Sequence, residues 1–203
     1  MEVVLDGARL EVEPEGETLQ DVIGWLLENQ VSADRALREV KVNGEPYNMA
    51  DMGPASGMAA SEIQHLEVET AEARQVALEF MGQAPTYLEA IAQAVAAVAE
   101  LFRVVDERDA SEQYIAVLES LQLFLTMLEE TRRLLGLDLE SAVYQERTAA
   151  AALENLSGLI KKLLDAQENE DWVLLADLLE YDLAPELRAW GEFAKLLKDQ
   201  CLS

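Results

Sequence analysis

The hydrophobic pattern of the chain changes at Thr70, and this change limits the folds that the sequence can adopt. Before Thr70, short runs of alternating apolar and polar residues surround one helical segment, and a period of two is typical of strands. After Thr70, apolar residues recur every three or four positions, as they do in amphipathic helices. The pattern predicts an α+β protein in two parts, a small sheet domain in residues 1–70 and a purely helical bundle in residues 71–203.

The first part begins with two predicted strands, residues 1–5 and 10–12, joined by a hairpin turn at Asp6 and Gly7. A helix follows, with Thr18 as its N-cap and Asp21 as the acidic partner of a capping box. Five apolar residues have the spacing of one helical face: Leu19, Val22, Ile23, Leu26 and Leu27.

The rest of this part predicts two more strands, residues 40–42 and 63–68. A turn at Asn43 and Gly44 ends the first of them, and the alternation in the second leaves its inward face undecided. Residues 51–58 are small and lack the lysine of a phosphate-binding loop, so they predict a surface loop.

This order of a hairpin, a helix and two strands resembles the β-grasp fold of ubiquitin-like and sulfur-carrier-like proteins. The resemblance is carried by the opening hairpin, by Glu15-Gly16-Glu17-Thr18-Leu19 and by Val42-Asn43-Gly44-Glu45. Carriers of that family end in a free Gly-Gly, whereas here the last strand continues into Thr70-Ala71-Glu72-Ala73. The resemblance therefore implies a docking or structural module without carrier chemistry.

The second part predicts a short helix over residues 71–81, ended by Gly82 and Pro85, and then a helix of about twenty residues from Tyr87 to Val105. Asp109, with Glu112 three residues later, predicts the start of the next helix. Its inward stripe is Tyr114, Val117, Leu118, Leu121, Leu125 and Leu128.

Gly136 is predicted to end that helix, and Asp138 to cap a third long helix that runs to about Asp165. Because short loops join long helices, the prediction is an antiparallel up-and-down bundle. No strand is expected between residues 86 and 199.

The last segment differs because residues 172–183 place apolar side chains on nearly every side of a helix, and Pro185 predicts a kink or restart. Such a helix is either enclosed by residues 86–105, residues 139–165 and the sheet, or it meets another chain. The second hypothesis assigns eight partner-binding residues: Trp172, Leu175, Asp177, Leu179, Glu180, Tyr181, Asp182 and Trp190.

The formal net charge of −25 is shared by both parts, with −11 in residues 1–70 and −14 in residues 71–203. Such charge argues against nucleic acid and against an anionic membrane surface as partners. It favours a basic protein partner, although solubility alone would explain it equally well. A second copy of the chain is the other partner that the sequence allows.

The sequence lacks a recognisable catalytic or metal-binding constellation. His65 is the only histidine and lies in a predicted strand, so neither a di-iron bundle site nor a general base is expected. Cys201 is the only cysteine, and Met1 is not followed by a basic leader, so we expect a cytoplasmic protein.

The function predicted from these features is a non-catalytic protein-interaction module, an adaptor or chaperone-like bundle that needs no cofactor and no metal. Small acidic helical proteins that escort bacterial export substrates are similar in composition. A structural or self-association module is the alternative, and an enzyme or metal protein is the third possibility.

Overall fold

A computed structural model describes residues 1–11, 14–47, 58–104 and 107–202. The protein has a sheet followed by helices, which confirms the predicted α+β class. The chain divides into two compact units, Met1–Ala77 and Leu78–Ser203. The predicted strand residue Val12, most of the predicted loop 51–58 and the predicted helix residue Val105 lie outside the described residues.

The first unit contains a five-stranded mixed sheet with one helix between its second and third strands. In sequence order the elements are β1 (Glu2–Leu5), β2 (Ala8–Arg9), α1 (Leu19–Asn29), β3 (Arg35–Val42), β4 (Glu45–Pro46), a 3-10 turn (Ala60–Glu62) and β5 (His65–Glu72). The spatial order is β2-β1-β5-β3-β4. The β1–β5 pair is parallel and the other pairs are antiparallel.

One face of this sheet forms a core with α1. The core comprises Val3, Leu5, Leu19, Val22, Ile23, Leu26, Val40, Val42, Ile63, Leu66 and Val68. The pairing of Val3 with Leu66 and of Val40 with Val68 places the buried residues of three strands on the same side. This register decides the face of β5 that alternation left open, since His65 lies on the other side.

The predicted capping box of α1 is confirmed. The Asp21 N–H donates to Thr18 Oγ1 at 3.2 Å, and the Thr18 N–H donates to Asp21 Oδ2 at 3.0 Å. Hydrogen bonds from the Thr18 side chain and backbone hold the pKa of the Asp21 carboxyl below its ordinary value. A polar N-cap therefore sets the helix start as the sequence predicted.

The second predicted strand, residues 10–12, was misplaced along the part of it that the structure describes. Asp6 and Gly7 do form the tight turn, with φ of 49° and 79°. This turn sets Ala8 directly opposite Leu5, so β2 is formed by Ala8–Arg9 rather than by residues 10–12. The turn residues were predicted correctly, but strand pairing resumes at Ala8 immediately after the turn instead of at Leu10.

The helical elements and a small hairpin follow β5. They are α2 (Ala73–Val104), α3 (Glu107–Leu135), β6 (Val143–Tyr144), β7 (Arg147–Thr148), α4 (Ala149–Glu168), α5 (Trp172–Asp177), a π-helical turn (Leu178–Leu183) and α6 (Ala184–Leu202). Helix α2 starts in the first unit and continues into the second.

The ring contacts between α2 and α3 show the relative direction of the two helices: the start of α2 lies beside the later part of α3, and its end lies beside the early part. Phe80 is beside Phe124, with ring centroids 6.2 Å apart, and Phe102 is beside Tyr114 at 5.9 Å. The same reversal relates α2 to α6, because Arg188 pairs with Glu89 while Lys198 lies beside Gly82. Both helix pairs are therefore antiparallel.

The predicted break at Gly82 and Pro85 was wrong, because α2 is one continuous helix with Pro85 in its interior. Met81 and Leu88 are buried on either side of the proline and keep the apolar stripe unbroken. Burying two such side chains contributes about 3–6 kcal/mol, which matches or exceeds the cost of about 3 kcal/mol for an interior proline. Packing therefore overrides the local signal.

Two further helix starts were wrong. Helix α3 begins at Glu107, so Asp109 lies within its first turn and is not the N-cap. Gly136 does end α3, with φ of 67°, but Asp138 only closes a turn by accepting a hydrogen bond from the Glu140 N–H at 3.0 Å. The cap of α4 is Thr148, whose hydroxyl accepts from the Ala151 N–H.

The hairpin of β6 and β7 contradicts the expectation of no strands between residues 86 and 199. Its turn residues, Gln145 and Glu146, have φ of 48° and 63°, a conformation that glycine or asparagine usually supplies. The sequence therefore lacks the ordinary turn signal. The salt bridge from Arg147 to Glu186 in α6, at 2.9 Å, ties the hairpin to the helices instead.

Candidate protein-binding surface

The segment with apolar residues on every side is a single helical rod that runs from α5 through the π-helical turn into α6. Asp171 caps its start by accepting a hydrogen bond from the Leu174 N–H at 3.0 Å. A kink or restart was predicted near residues 182–185. No restart occurs, because the Ala184 N–H bonds to Leu179 O and the helix continues; the irregularity there is the π turn itself, Leu178–Leu183. A π turn is one of the ways in which a helix tolerates irregular hydrogen bonding.

Three of the eight predicted partner-binding residues belong to the core. Leu175, Leu179 and Trp190 are fully buried within their own unit, so they are unavailable to another chain. Trp190 packs edge-on against Phe124, with centroids 6.0 Å apart. For these residues the part of the enclosed alternative that concerns the helices is correct, because their core consists of residues of the helical unit.

The opposite side of the rod is exposed and includes large apolar side chains. Val173 is 73% exposed, Tyr181 is 65% exposed and Leu174 is 46% exposed. Asp177 and Asp182 are exposed on the same side. We call Val173, Leu174, Asp177, Tyr181 and Asp182 the outward face.

Arg103 of α2 borders this face and takes up part of its acidic charge. Its guanidinium donates to Asp177 Oδ1 at 2.9 Å, to Glu100 Oε1 at 2.9 Å and to Glu180 Oε2. The hydrogen bond that Arg103 donates to Glu180, and then the one that it donates to Asp177, raise the pKa of Arg103 above its ordinary value. The same guanidinium lies 5.8 Å from the centre of the Tyr181 ring.

The predicted acidic rim is therefore divided. Asp177 and Glu180 are paired with Arg103, whereas Asp182 forms no ion pair within the described part of the chain. Three carboxylates around one guanidinium leave an excess of negative charge even where pairing occurs. The rim remains acidic after its internal ion pairs are counted.

Trp172 has a structural role at the start of the rod. Its ring stacks on Phe102 with centroids 5.5 Å apart and planes 2° apart. Phe102 in turn meets the edge of Tyr114, whose buried hydroxyl has a pKa raised to about 12 by burial. Trp172 thus holds α5 against α2 with only part of its surface available.

A surface groove of about 350 Å³ lies beside the outward face, where the end of α4 meets α5. Its lining consists of Lys162, Asp165, Ala166, Asn169, Asp171, Leu174 and Leu178. Leu174 belongs to both the groove and the outward face, so the two are continuous. Most of the lining surface is apolar, and the charged groups are Asp165, Asp171 and Lys162.

The residues considered for chemistry do not assemble into a catalytic group. His65 contacts Glu67 at 2.9 Å and Glu2 at 3.5 Å on the face of the sheet opposite α1. Cys201 is free and half-buried near the end of α6. No group of three or more histidine, cysteine or acidic residues suited to a metal ion occurs among the described residues.

Sequence reasoning missed Arg103 and the groove. Arg103 reaches partners 74 and 77 positions away, and no local spacing reports such contacts. The groove depends on how α5 leaves the end of α4, which the polar composition of residues 167–171 does not specify. The all-round apolar pattern of residues 172–183 and the acidic residues among them were the signals that pointed to this region.

Fold and surface together define an α+β protein with a mixed five-stranded sheet followed by a helical unit that presents an acidic and apolar face. The chain belongs to the family described as a domain of unknown function (DUF8042), whose model matches residues 79–193. A second family model, also described as a domain of unknown function (DUF8043), matches residues 2–71. No curated protein and no solved structure matches the chain.

Among the described residues, no helix combines the length and the apolar character that crossing a bilayer requires.

Proposed function

We propose that the chain is a non-catalytic protein-interaction module, an adaptor or chaperone-like protein, that binds a basic protein partner through the outward face. One observation carries the proposal: a helix that is otherwise buried displays Val173, Leu174 and Tyr181 to solvent beside acidic groups. Fully burying an apolar side chain of this size contributes about 1.5–3 kcal/mol. Three such residues on one face give a partner several kilocalories per mole of apolar contact.

Charge supports a basic partner. Residues 163–187 contain eight acidic side chains and no basic one: Asp165, Glu168, Glu170, Asp171, Asp177, Glu180, Asp182 and Glu186. A surface of this sign attracts lysine-rich and arginine-rich proteins and accelerates their association. A second copy has the same charge of −25, so repulsion opposes self-association through this face.

The first unit is proposed as a docking or structural module of the β-grasp type. The strand order β2-β1-β5-β3-β4, with α1 following the first hairpin, supports that resemblance. We also propose a cytoplasmic location, in keeping with the single cysteine.

The test uses a labelled helical peptide of leucine and lysine, with binding to the whole protein measured by fluorescence anisotropy. The variant Val173→Ser with Tyr181→Ser should weaken binding roughly tenfold or more, because both apolar contacts are lost. The control variant Ile115→Ser removes an exposed apolar side chain from α3 and should stay within about twofold. Equal weakening by both variants would contradict the proposal.

Self-association is tested in the same samples by sedimentation equilibrium. We expect a monomer at micromolar concentration. A dimer that Val173→Ser with Tyr181→Ser abolishes would show that a second copy covers the outward face, and the basic-partner proposal would be wrong.

A further inference from the structure

We infer that the groove between the end of α4 and α5 receives the side chain of a lysine or arginine from the basic partner. This inference rests on the proposed function and gives that function a chemical specificity. It starts from the continuity of the groove with the outward face through Leu174.

The floor of the groove suits an aliphatic chain. Ala166 and Leu178 are buried residues of the lining, and Leu174 adds a half-exposed apolar wall. The stems of lysine and arginine consist of three or four methylene groups that pack on apolar surface while the charged head stays hydrated. An open groove with an apolar floor allows both at once.

Two carboxylates supply the charge that such a head requires. Asp165 and Asp171 both line the groove, and neither forms an ion pair within the described part of the chain. Asp171 uses one oxygen, Oδ1, to cap α5 and accepts from the Leu174 N–H. Its second oxygen and the Asp165 carboxylate are the available acceptors.

Lys162 is the one cation in the lining, and it does not cancel the two carboxylates. The remaining negative charge disfavours an anionic ligand. A purely apolar side chain would leave the exposed carboxylates of Asp165 and Asp171 without a charged partner and would gain only the contact with the floor. A side chain with an apolar stem and a positive head is therefore the occupant that matches both the floor and the charge.

The probes are N-acetyl-lysine methylamide and N-acetyl-arginine methylamide, titrated into the ¹⁵N-labelled full-length protein. We expect amide shifts centred on Ala166, Asn169 and Leu174, with a dissociation constant on the order of millimolar for so small a ligand. N-acetyl-norleucine methylamide keeps the stem without the charge and should bind at least about fivefold more weakly.

The test variant is Asp165→Asn with Asp171→Asn. Asparagine is as good an N-cap as aspartate, so the start of α5 is preserved. We expect a loss of lysine-probe affinity of about fivefold or more. The control Glu168→Gln with Glu170→Gln changes the net charge equally in the same acidic stretch, but outside the groove, and should stay within about twofold.

The outcomes separate this inference from the proposed function. If the small probes shift no groove amides, or if both double variants weaken them equally, the groove is not a cation site and the inference is overturned. The leucine–lysine peptide can still bind the outward face in that case. If the probes bind as expected but Val173→Ser with Tyr181→Ser leaves the affinity for the peptide unchanged, the proposed docking face is wrong while the groove remains a cation site.

Discussion

Pro85 of α2 lies directly against Gly191 of α6, where a Cβ atom would stand 3.5 Å from Pro85 Cα. The two antiparallel helices thus meet at a residue without an amide proton and a residue without a side chain. Gly191 leaves room for the backbone and ring of Pro85, while burial of Met81 and Leu88 keeps α2 continuous through the proline. The proline is therefore tolerated by its surroundings rather than required by the helix.

Replacing that proline should therefore stabilise the helical unit. Pro85→Ala restores an amide donor to the helix and removes the ring clash, and we expect a gain of about 1–3 kcal/mol in the free energy of unfolding. Urea denaturation followed by circular dichroism measures it. A clear loss of stability would show that the ring contact with Gly191 outweighs the lost hydrogen bond.

Two glycines around α1 should respond to alanine in opposite ways. At Gly16, with φ of 147°, a Cβ would stand 2.5 Å from the Asp21 Cβ, so Gly16→Ala disrupts the capping box. We expect Gly16→Ala to lower the free energy of unfolding by about 1–3 kcal/mol. Gly24 lies within α1, and no atom of the described part of the chain comes within 4 Å of a new Cβ, so Gly24→Ala should gain about 0.5–1 kcal/mol in the free energy of unfolding.

Denaturant unfolding of both variants, followed at the amides of the first unit by NMR, provides the comparison. If the free energy of unfolding changes by a similar amount and in the same direction in both variants, the backbone around Gly16 relaxes to accept a Cβ atom, and the steric argument is wrong.

The buried side of the rod gives a third prediction. Leu175→Asp with Leu179→Asp places two carboxylates in a core where both leucines are fully buried. We expect loss of helical circular dichroism like that caused by Leu121→Asp, which lies in the same core. Val173→Asp, on the exposed side, should leave the spectrum unchanged. A folded double variant would mean that this side of the rod is not core.

The sequence predicted those parts of the fold that depend on local chemistry. The period change near Thr70, the box formed by Thr18 and Asp21, and the end of α3 at Gly136 all involve residues within a few positions of one another. Hydrophobic period and capping report such features directly.

The errors arose where distant packing decided the outcome. Pro85 signals a helix end, yet burial of its neighbours keeps α2 whole. The hairpin at Gln145 and Glu146 lacks the residues that usually form such a turn. It is stabilised by the salt bridge from Arg147 to Glu186, which lies far along the chain. On the candidate surface, composition indicated the acidic region but could not separate buried Leu175 from exposed Leu174.

Acid should weaken the sheet unit through Asp6. The Asp6 carboxylate accepts from the Thr70 N–H at 2.7 Å, from the Thr70 hydroxyl at 2.7 Å and from Arg35 at 3.2 Å. The backbone hydrogen bond from Thr70 is the main cause that lowers the pKa of Asp6 below its ordinary value of 3.8. A lowered carboxyl pKa contributes stability above the unfolded value, and this contribution is lost as the pH falls below about 4.

The check compares the protein with Asp6→Asn at pH 6, 4.5 and 3, using urea unfolding followed at the Val68 and Thr70 amides. The stability difference between the two proteins should be largest at pH 6 and should shrink by pH 3. Glu69→Gln, at an exposed position of β5, is the matched control. A difference that stays constant with pH would rule out Asp6 as the source of the acid sensitivity.

The last prediction concerns Glu186, which is only 7% exposed and accepts hydrogen bonds from Arg147 at 2.9 Å and from Asn155 at 3.0 Å. Its other oxygen, Oε1, has no hydrogen-bond partner among the residues that the structure describes, so the carboxylate depends on these two donors. Arg147→Met keeps an unbranched side chain over the Phe193 ring but leaves the buried charge poorly compensated. We expect a cost of about 2–4 kcal/mol in the free energy of unfolding, because a buried charge that loses its partner retains its desolvation penalty.

The double variant Arg147→Met with Glu186→Met removes both charges and should recover most of that loss, since an apolar pair of similar size often replaces a buried ion pair without cost. Urea unfolding of the two single variants and the double variant measures the coupling energy. If the loss of unfolding free energy in the double variant equals the sum of the losses in the two single variants, Arg147 and Glu186 do not stabilise each other, and the pair does not hold the hairpin to α6.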